Sequence, residues 1–246
     1  MDTMKDPYSE QGEFYDVVSG GLWKTRKVFL DVLAGLANVD GVILDIGSGT
    51  GHGVVAVSEV LPGVEIFAVE PSSTMRATLL SRIMQTGDLQ QRVTVIPTTF
   101  ENFELPDRVR AVLLLACIGI FDDGARQNFW AKLAPHMPMG GLVLFDVMID
   151  KPAPVAKMRV AEIPVGRHTY HAWVEGVPQG DKYQKWQSTF QITKGDQVLL
   201  ERHIESVWRT LSLEDVAREA EPFGFAYEPL PADPRIPSGL LRKIAQ

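Results

Sequence analysis

The stretch Val42-Ile43-Leu44-Asp45-Ile46-Gly47-Ser48-Gly49-Thr50-Gly51-His52-Gly53 constrains the fold of this chain more than any other. Val42 to Ile46 is a short β-branched run, the pattern of a buried parallel strand. It breaks into alternating glycines, which tolerate positive φ and let a ligand approach the backbone. An apolar helical pattern then resumes through Val54, Val55, Val57 and Leu61. Strand, glycine turn and helix N-terminus in that order make a ligand-binding crossover.

Spacing narrows the ligand. The dinucleotide fingerprint requires G-x-G-x-x-G. Counted from Gly47 its third glycine falls on His52, and counted from Gly49 on Val54. The chain instead has G-x-G-x-G with Asp45 two residues ahead. Glu70 ends the next strand-like run, Ile66 to Glu70, about 20 residues on, where a carboxylate binds a ribose diol. The alternative is a glycine-rich turn in some other α/β protein.

This combination resembles the class I S-adenosylmethionine-dependent methyltransferases, in the subgroup that acts on small molecules of natural-product type. The resemblance covers residues 40–148 well and the remainder loosely. It implies an α/β fold: a Rossmann-like seven-stranded methyltransferase sheet with helices on both faces and a small antiparallel β cap. It also implies S-adenosyl-L-methionine as cofactor, released as S-adenosyl-L-homocysteine. Asp45, Gly47, Ser48, Gly49 and Gly51 are then cofactor contacts, and Glu70 holds the ribose hydroxyls. Pro71, Ser72 and Met75 lie against the adenine, although for Met75 core packing is the preferred reading. Many relatives carry an Asp where this chain has Thr99. The carboxylate that accepts from the adenine amino group is therefore missing, and Thr99 Oγ or the Phe100 backbone is the substitute, with the Phe100 ring on the base.

The rest of the chain reads as four segments. Residues 1–40 form an N-terminal lid and helical segment, in which Glu13-Phe14-Tyr15-Asp16 is similar to the family's lid helix and sets Tyr15 over the methionine end of the cofactor. The alternative is that Phe14 and Tyr15 anchor the segment to the core. Residues 41–150 are the cofactor-binding core. Ser72 or Ser73 caps a helix with Met75, Leu79, Leu80 and Ile83 on its buried face, and Val93 to Ile96 is a third strand. Ala111 to Ala116 is wholly apolar and therefore a central fourth strand. Asp122-Asp123 caps a helix that leads through Gly140-Gly141 to a fifth strand, Leu142 to Asp146.

Residues 151–211 are the antiparallel cap over the active site, with strands at 167–175, 183–193 and 197–211 and a hairpin turn at Lys194-Gly195-Asp196. Lys151 to Pro154 reads as a linker and Ile163 to Gly166 as a second break, with a short helix between them through Val155, Met158 and Ala161. Residues 212–246 hold a C-terminal helix, opened by a near capping box at Ser212 and Asp215, and the last core strands at Phe225 to Leu230 and Ser238 to Ile244.

Ala116-Cys117-Ile118-Gly119 follows the fourth strand. The Asn/Asp-Pro-Pro-aromatic segment of amine-methylating DNA and protein enzymes is absent. No carboxylate there ligates a metal, so no metal is expected. Ala116 and Cys117 line the cofactor cleft, Cys117 as a small protonated residue rather than a nucleophile. The net charge of -7 repels phosphate backbones, which speaks against nucleic acid as substrate. A single cysteine excludes an internal disulfide and suits a reducing cytoplasm. Neither a signal peptide nor an apolar run of about 18 residues is apparent, so no membrane is expected.

Methyl transfer needs alignment first and a base only if the acceptor loses a proton. His168, His171 and His203 in the cap are the candidate bases, with Trp173, Trp186, Tyr183 and Trp208 as pocket walls. Asp146, just past the fifth strand, either orients the acceptor or caps a turn. The expected activity is methyl transfer to oxygen or nitrogen of a small organic molecule, with carbon ranked lower, in secondary metabolism, by a monomer or homodimer. The rivals are a cofactor-dependent step that transfers no methyl group, such as a cyclisation, and an NAD or nucleotide-sugar oxidoreductase.

Overall fold

A computed structural model of the chain describes residues 6–231 and 236–245. It separates into two compact units, Met1–Lys24 with Lys151–Thr210 and Thr25–Asp150 with Leu211–Gln246. In chain order the elements begin with α1 (Gly12–Leu22), a 3-10 turn (Trp23–Arg26), α2 (Lys27–Ala34), β1 (Val42–Ile46) and α3 (His52–Val60). Next come β2 (Ile66–Val69), α4 (Ser73–Gln85), α5 (Leu89–Arg92), β3 (Val93–Ile96), β4 (Val109–Leu114), α6 (Asp123–Leu133) and β5 (Leu142–Asp146). The four long strands β6 (Val155–Val165), β7 (His168–Gln179), β8 (Tyr183–Lys194) and β9 (Gln197–Arg209) follow. The chain closes with α7 (Leu213–Ala220), β10 (Phe225–Pro229) and β11 (Ser238–Lys243).

In the larger unit seven strands form one sheet in the order β10-β11-β5-β4-β1-β2-β3. β1 pairs in parallel with β2 on one side and β4 on the other, and β11 alone runs antiparallel, against both β5 and β10. The apolar runs read from the sequence occupy the middle strands because both faces of a parallel sheet must be covered. Phe129, Trp130, Phe145 and Phe225 fill the core on one side at 3% exposure or less. Each such ring stabilises the fold by about 1.5–3 kcal/mol relative to an exposed one.

Helix starts are fastened as their sequences predict. Ser72 Oγ accepts from Met75 N (3.1 Å), Asp122 Oδ1 accepts from Ala125 N (2.8 Å), and Ser212 and Asp215 complete a capping box. Met75, Leu79 and Ile83 form the buried stripe of α4, whereas Leu80, a residue away from it, is 48% exposed. The strand order reverses direction at β1, with β2 and β4 to either side, which opens a crevice at the carboxyl ends of β1 and β4.

The smaller unit is a four-stranded antiparallel sheet, β6-β7-β8-β9, with α1. Phe14 of α1 is fully buried on one face of this sheet, stacked on Phe190 (4.9 Å between centroids) and tilted against Tyr170 (5.7 Å). The sheet corrects one expectation. Residues 155–161, read as a helix between two breaks, belong to the edge strand β6. Pro164 sits within that strand opposite Thr169, at a sheet edge where a missing N–H is tolerated. The segment 1–40, read as one piece, is shared between the units, α1 with the small sheet and α2 with the large one. Among the described residues no helix is long and apolar enough to cross a membrane.

Candidate functional site

The glycine turn forms because its hydrogen bonds need backbone angles that other residues resist. Gly47, Gly49 and Gly51 have φ of 68°, 55° and 89°. The amides of Gly47 and Ser48 both donate to Val69 O, at 2.8 and 3.2 Å, which ties the turn to the end of β2. Ser48 Oγ turns back to donate to Asp45 O (2.7 Å). A Cβ on Gly51 would stand 2.6 Å from Leu79 Cδ1, so a side chain there would force Leu79 of α4 to shift.

Glu70 is 4% exposed, one residue past β2. Its Oε2 accepts from Gly49 N and its Oε1 from Ser72 N, both at 2.8 Å. The carboxylate is thus fastened between the glycine turn and the residue that caps α4. Pro71 beside it is exposed, and Arg76 Nη1 donates to the carbonyls of Glu70 (2.8 Å) and Pro71 (2.7 Å).

Three acidic side chains lie in or beside the carboxyl ends of the central strands, with one buried arginine. Asp45 is 4% exposed, and its Oδ2 has no hydrogen-bond partner among the described residues. Burial pushes its carboxyl up to about 7, opposed by the Arg26 guanidinium and reinforced by Glu70. Asp146, fully enclosed, accepts from Arg26 Nε (3.1 Å) and Nη2 (2.5 Å) through one oxygen, and from Ala116 N (2.5 Å) through the other. Ala116 has φ of 52°, the one non-glycine among the described residues on that side of the map. Asp146 therefore orders the loop after β4.

The Arg26–Asp146 pair escaped the sequence reading, since 120 residues separate the partners and neither belongs to a motif. Cys117 follows Ala116, is 7% exposed and donates through Sγ to Ile46 O (3.3 Å). Burial, with Asp146, Asp45 and Glu70 adding to it, pushes the thiol well above its ordinary range, so it stays protonated. A Cβ on Gly47 would come within 3.2 Å of Cys117 Cβ, so the glycine turn and the β4 loop are in van der Waals contact.

The remaining candidates fall into two groups. In the larger unit Met75 is 1% exposed, and Phe100 spends its ring in the core, 4.5 Å from Phe129 and beneath Lys132 Nζ (5.2 Å). Thr99 is exposed, and its Oγ1 accepts from Asn102 Nδ2 (3.2 Å). In the smaller unit Tyr15 meets Tyr8 edge to face (5.9 Å) while Phe14 is the anchor.

His171 and Trp173 stack at 5.4 Å, on the sheet face opposite Tyr170. His171 Nε2 is 3.1 Å from Thr193 Oγ1, and its Nδ1 is 3.9 Å from Glu162 Oε2. His203 pairs through Nε2 with Glu201 Oε1 (2.9 Å) and through Nδ1 with Thr189 Oγ1 (3.3 Å). His168 is exposed at the start of β7 and shares the parity of Tyr170. His203 is oriented by its hydrogen bond to the Glu201 carboxylate, whereas His171 Nδ1 is buried with no hydrogen-bond partner among the described residues.

Residues 43–141 match the family model described as a methyltransferase domain. Over 92 residues the chain is 29% identical to protein arginine N-methyltransferase 6 of Xenopus tropicalis, a match that covers 37% of this chain and 26% of that one. The chain thus spans about a quarter of that relative's length. Among solved structures, the S-adenosylmethionine-bound amino pentose methyltransferase CalS10 of Micromonospora echinaspora superposes with a TM-score of 0.72 at 14% identity, over 92% of this chain and 96% of that one. The sugar N-methyltransferase KedS8 of Streptoalloteichus sp. ATCC 53650 gives 0.68 at 18% identity, over 96% and 91%. At these identities the likeness is one of fold.

Proposed function

We infer that the chain belongs to the class I S-adenosylmethionine-dependent methyltransferases and methylates oxygen or nitrogen of a small organic acceptor. The observation that carries this reading is the buried Glu70 carboxylate, fastened between the amides of Gly49 and Ser72 beside a turn of left-handed glycines. A carboxylate at that strand end is suited to a ribose diol. The residues fit the donor on two further counts. Asp45 Oδ2 is a buried acceptor without a partner among the described residues, complementary to an ammonium. Gly47, Gly49 and Gly51 at positive φ give a turn that at those positions has no side chain of its own to exclude a ligand from the backbone.

S-adenosylmethionine, when bound, supplies a methyl carbon already activated by its sulfonium. Glu70 and the glycine turn hold and align the donor, and alignment is most of what this displacement requires. Where the acceptor carries a proton, His168, His171 and His203 are the candidate bases, of which His203 hydrogen-bonds Glu201 and His171 hydrogen-bonds Thr193. The two sugar methyltransferase neighbours support a sugar amine or hydroxyl as the acceptor class. The net charge of -7 supports a substrate that is not a polyanion, and the single buried cysteine supports a cytoplasmic location.

Calorimetry with S-adenosylhomocysteine tests the donor half. Saturable binding is expected, and no heat of binding overturns the reading. Incubation with methyl-labelled donor and a panel of amino sugars tests the acceptor half. Label transferred to the acceptor is expected, whereas cofactor-dependent turnover without a methylated product would favour a cyclisation.

A further inference from the structure

The uncompensated atom at the end of β1 has a consequence for how the donor is received. Asp45 faces Arg26 ahead of α2, Glu70 after β2, Cys117 after β4 and Gly53 in the first turn of α3. Its own strand contributes Ser48 from the turn. Arg26 is already committed to Asp146 through two of its nitrogens. Asp45 Oδ2 presses on Gly53 so closely that a Cβ there would sit 2.6 Å away, and it receives no hydrogen bond among the described residues. A buried carboxylate with one oxygen unpartnered and a second carboxylate beside it is unfavourable, and burial outweighs the Arg26 charge and the Ser48 hydrogen bond, so the site without ligand favours a neutral acid. The donor carries two cationic groups. Its sulfonium has no N–H to give, so the primary ammonium is the one that can satisfy Oδ2 by a charge-assisted hydrogen bond.

We propose that Asp45 holds a proton in the empty site and releases it to solvent as the ammonium of the donor's amino-acid end binds. The O–H bond breaks heterolytically, the carboxylate keeps the pair, and an ammonium N–H takes the place of the lost proton. The inference rests on the methyltransferase reading of the same site. It makes donor affinity rise with pH through the range in which Asp45 ionises, near 7. Above that range no proton remains to be displaced, and affinity falls once the donor's own ammonium loses its proton.

The test is isothermal titration of the chain with S-adenosylmethionine, and separately with S-adenosylhomocysteine, in phosphate and in Tris at several pH values. Buffers of different ionisation enthalpy report the protons exchanged. Both ligands carry the ammonium, so both are expected to release about half a proton at pH 7 and to bind about tenfold more tightly at pH 8 than at pH 6. Asp45→Asn is expected to bind with no proton release and a flat pH dependence. That variant keeps His52, which contacts Arg82 beside the turn (3.4 Å), and so separates its protonation from that of Asp45. Binding without proton exchange, release with S-adenosylmethionine alone, or release that survives in Asp45→Asn each overturns the proposal. Failure of both ligands to bind overturns the methyltransferase reading itself.

Discussion

Asp45 and Glu70 are neighbouring strand-end carboxylates that the fold treats in opposite ways. Glu70 accepts two backbone N–H bonds and is organised as an anion. Asp45 has a buried oxygen with no partner among the described residues. Glu70→Ala removes a charge-assisted contact, so it should weaken S-adenosylhomocysteine binding by about 1.5–3 kcal/mol. An unchanged dissociation constant would mean the ribose is held elsewhere.

For Asp45 the effect is on stability. Its folded-state pKa is raised from 3.8 to about 7, so the folded chain keeps the proton where the unfolded chain has lost it. Stability contributed by the neutral acid is complete below about pH 4 and falls as pH rises to 7. The total across that window is up to about 4 kcal/mol. Asp45→Asn, which cannot ionise, should therefore be more stable than the parent at pH 8 and little different at pH 4. Denaturant midpoints at the two pH values check this, and a difference between variant and parent that does not grow from pH 4 to pH 8 would contradict it.

At the scale of elements, the glycine turn owes its form to positions where a side chain has no room. Gly51 combines φ of 89° with a Cβ site 2.6 Å from Leu79, whereas Gly63 has φ of 83° and open space. Gly63→Ala should cost about 1 kcal/mol of backbone strain. Gly51→Ala adds overpacking against α4 and should cost about 2–4 kcal/mol. Equal losses in urea titrations of the two variants would show that α4 yields freely. The turn, the α4 and α7 caps and the central strands were legible locally, because each is specified by residues a few positions apart. β6 was not. Its proline and mixed charges resemble a linker, and it is a strand because β7 lies alongside it.

For the whole molecule, the consequence is a chain whose two units have separate cores, each contributed by segments far apart in sequence. Phe14 is the largest fully buried side chain of the smaller core, held by Phe190, Tyr170 and Ala172. Phe14→Ala should destabilise that unit by about 3–5 kcal/mol. Hydrogen exchange is expected to quicken at the amides of β7 and β8 while β1 and β4 keep their protection. Uniform loss of protection across both units would show that they unfold as one.

By itself the amino-acid sequence determined the crossover at residues 42–53, the order of strands and helices around it, and the acidic residue at the end of β2. Each depends on short-range patterning and backbone permissiveness, which are properties of neighbouring residues. Only the tertiary structure decided that Arg26 is spent on Asp146 and that Phe100 belongs to the core. It likewise put His171 with Trp173 on the polar sheet face, away from Phe14. It also decided that the acidic residue of the glycine motif is the one left short of a partner. Burial and pairing depend on which distant segments meet, and no local pattern carries that information.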